Sequence, residues 1–542
     1  MGNNHILNNL SQAQREICMH DKGFALVLAG PGSGKTTVTV SRICRLATIY
    51  KQPQRILCQT FTVAAAREME NRYNINAVGS TSPCFSTIHS FCYKIIREHE
   101  RKTGIKNTVL TENQSNAILQ NIYKQINHQS AENIISFDLL SAISRSRNQL
   151  DTLSLQIKNF RIIADKYLEY KVKNNYIDYD DMILIAKNVL INNDKLRKSI
   201  CGRYDYILLD EAQDMTEMQF DIIGLIAPHN NIFIVADDDQ SIYGFRGAAP
   251  KHLMRFVDKF DNVRRYYLEQ NYRSCKEIVN LACSVIKKNK ERYDKTLFTD
   301  NKHKGKVRIL SFKDSISQTQ YVCADLSRQT GTCGILYRNN SSVLLIKAGL
   351  NINQINYTVS DNTVKTYQIH LINKYIEQVR TLYRNTGLVI PGMRRAFNII
   401  TQNGFDKYAQ EYCEKTGQRR RYKEQIMSFL QFINSKCKSL AEIIRFLDLI
   451  DQNIEQASDD LYLSTIHGAK GLEYDNVYLI DMVQEEFPGH NNVSPGQLEE
   501  ERRLFYVAIT RARNNLTICY PQRRYDTKQT PSIFVEECRA IY

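Results

Sequence analysis

The sequence predicts an α/β fold built on parallel sheet, and three stretches carry that expectation. Phe24 to Ala29 is an apolar strand that runs into a glycine-rich turn and then a helix. Ile56 to Thr62 is a second strand, followed by an alanine-rich helix through Ala64, Ala65, Ala66, Arg67 and Met69. Tyr206 to Leu209 is a short apolar strand that ends on Asp210 and Glu211. Continuous apolar strands alternating with helices are what a parallel sheet covered on both faces requires.

The 542 residues suffice for several domain-sized units, each with its own core. Lys and Arg number 72 against 57 Asp and Glu, a net charge of +15 that makes a polyanion a more natural partner than an acidic protein surface. A solvated, lysine-rich surface is the alternative reading of the same surplus. The fourteen cysteines form no C-x-x-C pair and no His/Cys cluster at zinc spacing, so they read as reduced structural thiols. There is no basic-then-apolar leader, Ile6 does not suit a myristoylation pattern after Gly2, and no apolar run reaches membrane-spanning length. The expectation is a cytoplasmic protein with no membrane partner.

Taken in order, Leu10 to Glu16 reads as a capped helix ahead of the first strand. Its Gln14 is either a surface residue or a donor and acceptor for an adenine edge. The turn Gly30-Pro31-Gly32-Ser33-Gly34-Lys35-Thr36-Thr37 reads as a phosphate-binding loop. Its glycines let backbone N–H groups converge on phosphate oxygens, Lys35 spans the outer phosphates, and the Thr36 hydroxyl suits Mg²⁺. The next helix, with Val38, Val40, Ile43 and Leu46 on one face, adds its positive end to the same place. Ala29 stands where the strict pattern has its first glycine.

Beyond the second strand, Phe61 lies between Thr60 and Thr62 and reads as core or as a base-stacking platform. Thr87, His89 and Phe91 repeat the combination of hydroxyl, imidazole and ring. Cys92 to about Arg203 is polar and helical, an inserted subdomain. Its carboxylates Asp178, Asp180 and Asp181 read as an acidic helix start in preference to a metal site. Asp210 then supplies a carboxylate for the Mg²⁺ shell and Glu211 a base for the attacking water. The strand Ile232 to Ala236 leads into Asp237 to Ala248, where Gln240 is suited to sense a γ-phosphate while Tyr243, Phe245 and Arg246 face a nucleic acid strand.

These segments, with Gln270 to Ser274, resemble the UvrD/Rep group of superfamily 1 DNA helicases in type and order. Gly334 to Asn339, Leu463 to Tyr474 and Glu499 to Arg513 resemble that family's later motifs, so the likeness spans Leu10 to Arg513. It implies two RecA-like parallel-sheet motor domains, each with an inserted, mainly helical subdomain, and ATP bound between them. The implied segments are 1–91, 92–203 and 204–276 for the first motor and its insertion, then 277–365, 366–456 and 457–542 for the second. By the resemblance, Gln14 reads adenine and Tyr272 stacks on it. Lys35 and Thr36 hold phosphates and Mg²⁺, Asp210 holds Mg²⁺, and Glu211 is the base. Gln240, Arg273 and Arg511 neutralise the γ-phosphate, and Glu473 approaches the sugar. Phe61, Thr87, His89, Tyr243, Phe245, Arg246 and His467 line the single-strand track.

The sequence departs from the family pattern at Thr37, where many relatives carry arginine, and at Phe245, where tryptophan is common; the chain has no tryptophan. The Glu-Ile-Lys-Asp motif usual near the second insertion is absent around Thr366 to Asn373. That insertion is short, and its basic run Gln418 to Lys423 reads as a duplex contact or a solvated face. About thirty residues follow Arg513, too few for a nuclease domain. The implied activity is 3′ to 5′ ATP-driven movement on single-stranded DNA with duplex unwinding at single-strand/duplex junctions, in repair, recombination or replication. A second copy or an activating protein is expected to improve unwinding. The alternatives are a translocase that strips proteins from single strands and an accessory DNA-binding subunit with little unwinding.

Overall fold

A computed structural model describes residues 8–76, 81–128, 139–140, 142–144, 157–227, 231–359, 366–386, 392–415, 420–452, 458, 460–489 and 494–541. The chain divides into two compact units, Met1–Gln270 with Glu291–Lys295, and Asn271–Lys290 with Thr296–Tyr542.

The first unit is organised on a six-stranded sheet: β1 (Ala25–Ala29), β2 (Ile56–Thr60), β3 (Cys84–Thr87), β4 (Tyr206–Leu209), β5 (Ile232–Ala236) and β6 (Arg264–Leu268). The order across the sheet is β3-β2-β4-β5-β1-β6, and every pairing is parallel. β1 is buried at all of its positions because both faces are covered. Leu26 and Leu28 pack into one core with Ile207, Leu209 and Ile234, while Ala25, Val27 and Ala29 pack into another with Val38, Ile43 and Leu46. Burying each of Leu26, Val27 and Leu28 contributes on the order of 2 kcal/mol, so the strand that leads into the glycine-rich turn is firmly fixed. The second strand ends at Thr60, and Phe61 and Thr62 form the turn into helix Val63–Asn76.

Between β3 and β4 the described residues are mainly helical, in Ile88–Thr103, Glu112–Asn127, Phe160–Lys173, Tyr179–Asn192 and Asp194–Cys201. A short parallel pair that periodicity does not announce, Thr108–Val109 with Tyr176–Ile177, joins the segment after the first of these helices to the segment before the fourth. The acidic stretch is a helix cap: the Asp178 side chain accepts from the Asp181 N–H and the Asp181 side chain from the Asp178 N–H, both at 2.9 Å. The buried Lys171 ammonium lies 2.6 Å from Asp181 and also pairs with Asp178. That ammonium supplies the positive charge a metal would otherwise bring.

The second unit repeats the plan with β7 (Lys306–Phe312), β8 (Cys333–Tyr337), β9 (Thr358–Val359), β10 (Leu461–Thr465), β11 (Tyr474–Leu479) and β12 (Ala512–Pro521). Its order is β9-β10-β8-β11-β12-β7, again all parallel. Between β9 and β10 lie helices His370–Thr386, Gly392–Ile400, Asp406–Lys415, Arg420–Lys436 and Leu440–Gln452, packed on a core that includes Leu371, Tyr375, Phe397, Ile426 and Leu430. Gln418 and Arg419 of the basic run lie outside the described residues. Of its other members, Arg421 donates to the Glu485 carbonyl at 3.3 Å and Lys423 to Asp406 at 3.1 Å. All fourteen cysteines are free thiols, and no helix among the described residues is long and apolar enough to cross a membrane.

Candidate nucleotide and nucleic-acid sites

The glycine-rich loop expected to bind phosphate leaves β1 and ends at Gly34, which caps helix Lys35–Tyr50 with φ +84. Glycine is favoured there by its left-handed backbone, which is strained for any side chain, and a Cβ would lie 2.7 Å from Gln14 Nε2 and displace that amide. Gln14 is buried on helix Gln12–Met19, where its Oε1 accepts from the Ser11 N–H at 3.1 Å and its Nε2 donates to the Ser33 carbonyl at 3.0 Å. Ser33 Oγ donates to the Gly30 carbonyl at 2.8 Å, and Gly32 also has positive φ. Gln14 is therefore placed against the loop, with its amide engaged in the helix cap and the loop backbone. Thr36 is half-buried in the first turn and Thr37 exposed.

Facing this loop, β4 ends on Asp210 and Glu211. Lys35 Nζ lies 3.7 Å from Glu211 Oε1 and 3.9 Å from Asp237 Oδ2. Glu211 adopts φ +53, a left-handed conformation uncommon for a side-chain-bearing residue and typical of sites where geometry is imposed. Its carboxylate accepts from Gln213 Nε2, and Gln213 Oε1 accepts from the Asp237 N–H at 3.0 Å, so Gln213 links the ends of β4 and β5. Asp210 Oδ1 is buried with no hydrogen-bond partner. Burial first and the Glu211 charge second push the Asp210 carboxyl up to about 7, against the pull of Lys35. A hard divalent cation would supply both the missing partner and the missing charge, so the residues present fit Mg²⁺ held by Asp210 and Thr36.

The segment after β5 serves two places at once. Gln240 is buried and its Nε2 donates to Asp237 Oδ2 at 2.5 Å. Asp237, Asp238 and Asp239 are close enough together for a cation site, and the cation among them is Lys295, whose Nζ lies 2.9, 2.7 and 3.1 Å from the three carboxylates. Sequence reasoning missed Lys295 and its neighbour Arg292. Nothing in a lysine within the polar stretch Lys290–Thr296 distinguishes a buried ammonium from a solvated one.

At the other end of the segment, Tyr243 stacks on Phe61 with centroids 4.9 Å apart and planes 17° from parallel. Phe245 meets Tyr243 edge-on at 5.8 Å, and the exposed Arg246 lies 5.6 Å from the centroid of each ring. Phe61, Thr87, His89, Phe245 and Arg246 line one cavity of about 560 Å³, together with Tyr179, Asp180, Asp214 and Met218. Thr87 also caps helix Ile88–Thr103, accepting from the Ser90 N–H at 3.2 Å. Burial, then the Arg246 charge, lower the His89 pKa from its ordinary value. Tyr179 meets His89 edge-on at 5.7 Å and leaves half its surface exposed, a ring that sequence reasoning treated only as part of an acidic helix start.

Within the second unit, Arg273 donates to Glu473 and, at 3.3 Å, to the Thr510 carbonyl; Arg513 donates to the other Glu473 oxygen at 2.6 Å. Burial raises the Glu473 pKa, but the two arginines outweigh it and hold the carboxylate below its ordinary value. Arg511 is 2% exposed, and its guanidinium donates to the carbonyls of Val507 and Leu472 at 3.0 Å each. Tyr272 is exposed and His467 half-buried at the turn after β10. Arg273, Glu473 and Arg511 thus lie in one cluster with Thr510 inside the second unit, with Tyr272 beside Arg273 in sequence.

A family model described as the UvrD/REP helicase N-terminal domain matches residues 10–261, and one described as the UvrD-like helicase C-terminal domain matches 266–386 and 364–523. A probable DNA helicase II homolog of Mycoplasma capricolum is 27% identical over 99% of this chain and 88% of its own length. The ATP-dependent DNA helicase PcrA of Bacillus subtilis is 29% identical over 96% and 84%. The ATP-dependent DNA helicase Rep of Buchnera aphidicola is 25% identical over 95% and 96%.

Proposed function

This chain belongs to the UvrD/REP helicase family, and from that premise we propose that it is an ATP-driven motor that moves 3′ to 5′ along single-stranded DNA and separates duplex strands ahead of it. The direction rests on the family resemblance alone, and one observation carries the coupling of hydrolysis to the strand: the segment Asp237 to Arg246 reaches Lys35 at one end and the aromatic pocket at the other, so that nucleotide state and strand occupancy share a lever. In this reading Lys35 and the loop amides bind the ATP phosphates. Glu211 takes the proton from the attacking water as the water oxygen bonds to the γ-phosphorus and the bond from that phosphorus to the ADP oxygen breaks, leaving ADP and phosphate. Bound Mg²⁺ would offset phosphate charge at Asp210 and Thr36. Gln240, Arg273 and Arg511 stabilise charge on the transferring phosphoryl group, Gln14 and Tyr272 hold the base, and Glu473 meets the sugar.

Phe61, Thr87, His89, Tyr243, Phe245, Arg246 and His467 contact the strand. Ring stacking and phosphate contact without base readout suit a motor that must pass every sequence. Residues 92–203 and 366–456 act as insertions into the two motor domains. The short second insertion leaves unwinding, more than movement, dependent on a second copy or a protein partner. The setting is DNA repair, recombination or replication in the cytoplasm.

The test is ATP hydrolysis and strand displacement on duplexes with a 3′ or a 5′ single-stranded tail. DNA-stimulated hydrolysis with displacement from the 3′ tail supports the proposal, and displacement from the 5′ tail alone overturns its direction. Stimulated hydrolysis with no displacement points to a translocase that clears proteins from single strands.

A further inference from the structure

Asp237 is shared. Its carboxylate lies 3.9 Å from Lys35 Nζ, 2.9 Å from Lys295 Nζ and 2.5 Å from Gln240 Nε2, and its side chain has no exposed surface. The Lys295 side chain has none either, and its ammonium also lies 3.5 Å from the Ala29 carbonyl, immediately before the phosphate loop. Arg292 grips Asp239 through two hydrogen bonds of 2.9 Å. Three carboxylates thus meet three cations, Lys35, Arg292 and Lys295, where β1 and β5 end. The balance depends on where Lys35 goes. A nucleotide's phosphates draw Lys35 toward themselves, and Asp237 then keeps Lys295 as its cation. Without Lys295, the buried Asp237 carboxylate would hold Lys35 back and would repel the incoming phosphates, both in surroundings that screen charge poorly.

We propose that Lys295 is a positioning residue of the nucleotide site: its ammonium balances Asp237, which frees Lys35 for the phosphates while Asp237 continues to hold Gln240. The inference rests on the reading of the first unit as an ATP-binding motor and adds to it a residue outside every stretch that carried the family resemblance. Burial alone would lower the Lys295 pKa, but the three carboxylates outweigh it and hold it well above its ordinary value, so the ammonium persists. Lys295 also returns to the first unit on the segment Glu291–Lys295, whose flanking residues belong to the second.

The test is KM for ATP and kcat of single-strand-stimulated hydrolysis by the full chain, for the wild type, Lys295→Met, Lys295→Arg and the double variant Asp237→Asn/Lys295→Met. Lys295→Met is expected to raise KM by about tenfold or more with a smaller change in kcat, since it removes the charge that offsets a buried carboxylate. The double variant removes that carboxylate but keeps an amide oxygen for Gln240, and it is expected to recover most of the lost affinity. Lys295→Arg keeps the charge and is expected to stay near the wild type.

An unchanged KM in a folded Lys295→Met overturns the proposal, as does a double variant as weak as the single one. Where melting shows that Lys295→Met does not fold, the double variant and Lys295→Arg decide: weakening of both by about tenfold overturns it, and near-normal KM in both supports it. A wild type that hydrolyses no ATP with single strands present refutes the motor reading itself, an outcome distinct from any difference among the variants.

Discussion

The nucleotide end and the aromatic pocket of the first unit share the segment Asp237 to Arg246, yet different forces hold them. At the nucleotide end the contacts are ionic: Lys295 with three carboxylates, fully buried, and Lys35 with the buried Asp237 and the partly exposed Glu211. At the pocket they are ring on ring, Tyr243 on Phe61 and Tyr179 on His89, with Arg246 over two faces. Charge in a buried site is all-or-none, because removing one partner strands the other. Ring contacts are graded, because each contributes a small, sequence-independent amount. Removing a group that acts on the nucleotide at the first end should therefore abolish a step, and removing a ring at the second should weaken one.

Lys35→Ala is the largest expected break. Hydrolysis should fall by about a thousandfold or more, as for other phosphate-clamping cations, while single-strand affinity measured by anisotropy stays within about threefold, since pocket contacts of this graded kind do not include Lys35. An equal loss of DNA binding would merge the two ends into one site. Next comes Glu211→Gln, which keeps the shape and removes the carboxylate proposed as the base: kcat should fall by about a hundredfold or more with KM for ATP little changed. A fall in nucleotide affinity instead of kcat would make Glu211 a binding residue.

How far the sequence reveals each end follows the same division. The strand, glycine turn and helix around Lys35 were legible because their requirements are local: Gly34, Lys35 and Thr36 are adjacent, and a strand precedes them. Asp210 and Glu211 were legible from a strand ending in paired acids. The acidic run at Asp178 was also read correctly as a helix start, because capping is a local event. The pocket was legible only in part, since its wall gathers Phe61, His89, Tyr179 and Phe245 from four separate segments, and Tyr179 gave no sign of joining them. Lys295 was invisible, because burial beside Asp237 is a tertiary fact that no spacing records. The strand pair Thr108–Val109 with Tyr176–Ile177 was too short to show a period.

The graded end sharpens the contrast. Phe61→Ala should weaken single-strand binding by about tenfold, the amount expected for one lost base–ring stack, and leave KM for ATP in the absence of DNA unchanged. A loss of basal hydrolysis as large as that of Lys35→Ala would break the comparison. The smallest effect concerns His89, whose pKa is held below its ordinary value by burial and by Arg246. The ring is neutral at pH 7, and gaining a proton below the usual imidazole range adds positive charge to the pocket. Single-strand affinity should therefore tighten more steeply as pH falls below about 6.5 in the wild type than in His89→Gln. Parallel pH profiles would remove His89 from the strand contact.

The claim that one segment joins the two ends is tested most directly by hydrolysis measured against the concentration of an unstructured single-stranded oligonucleotide, with the unmodified chain at saturating ATP. Stimulation by about tenfold or more is expected, since strand binding shifts a two-state lever toward its active form, with half-maximal effect at the dissociation constant found by direct binding. A strand that binds the chain and leaves the hydrolysis rate unchanged would contradict it.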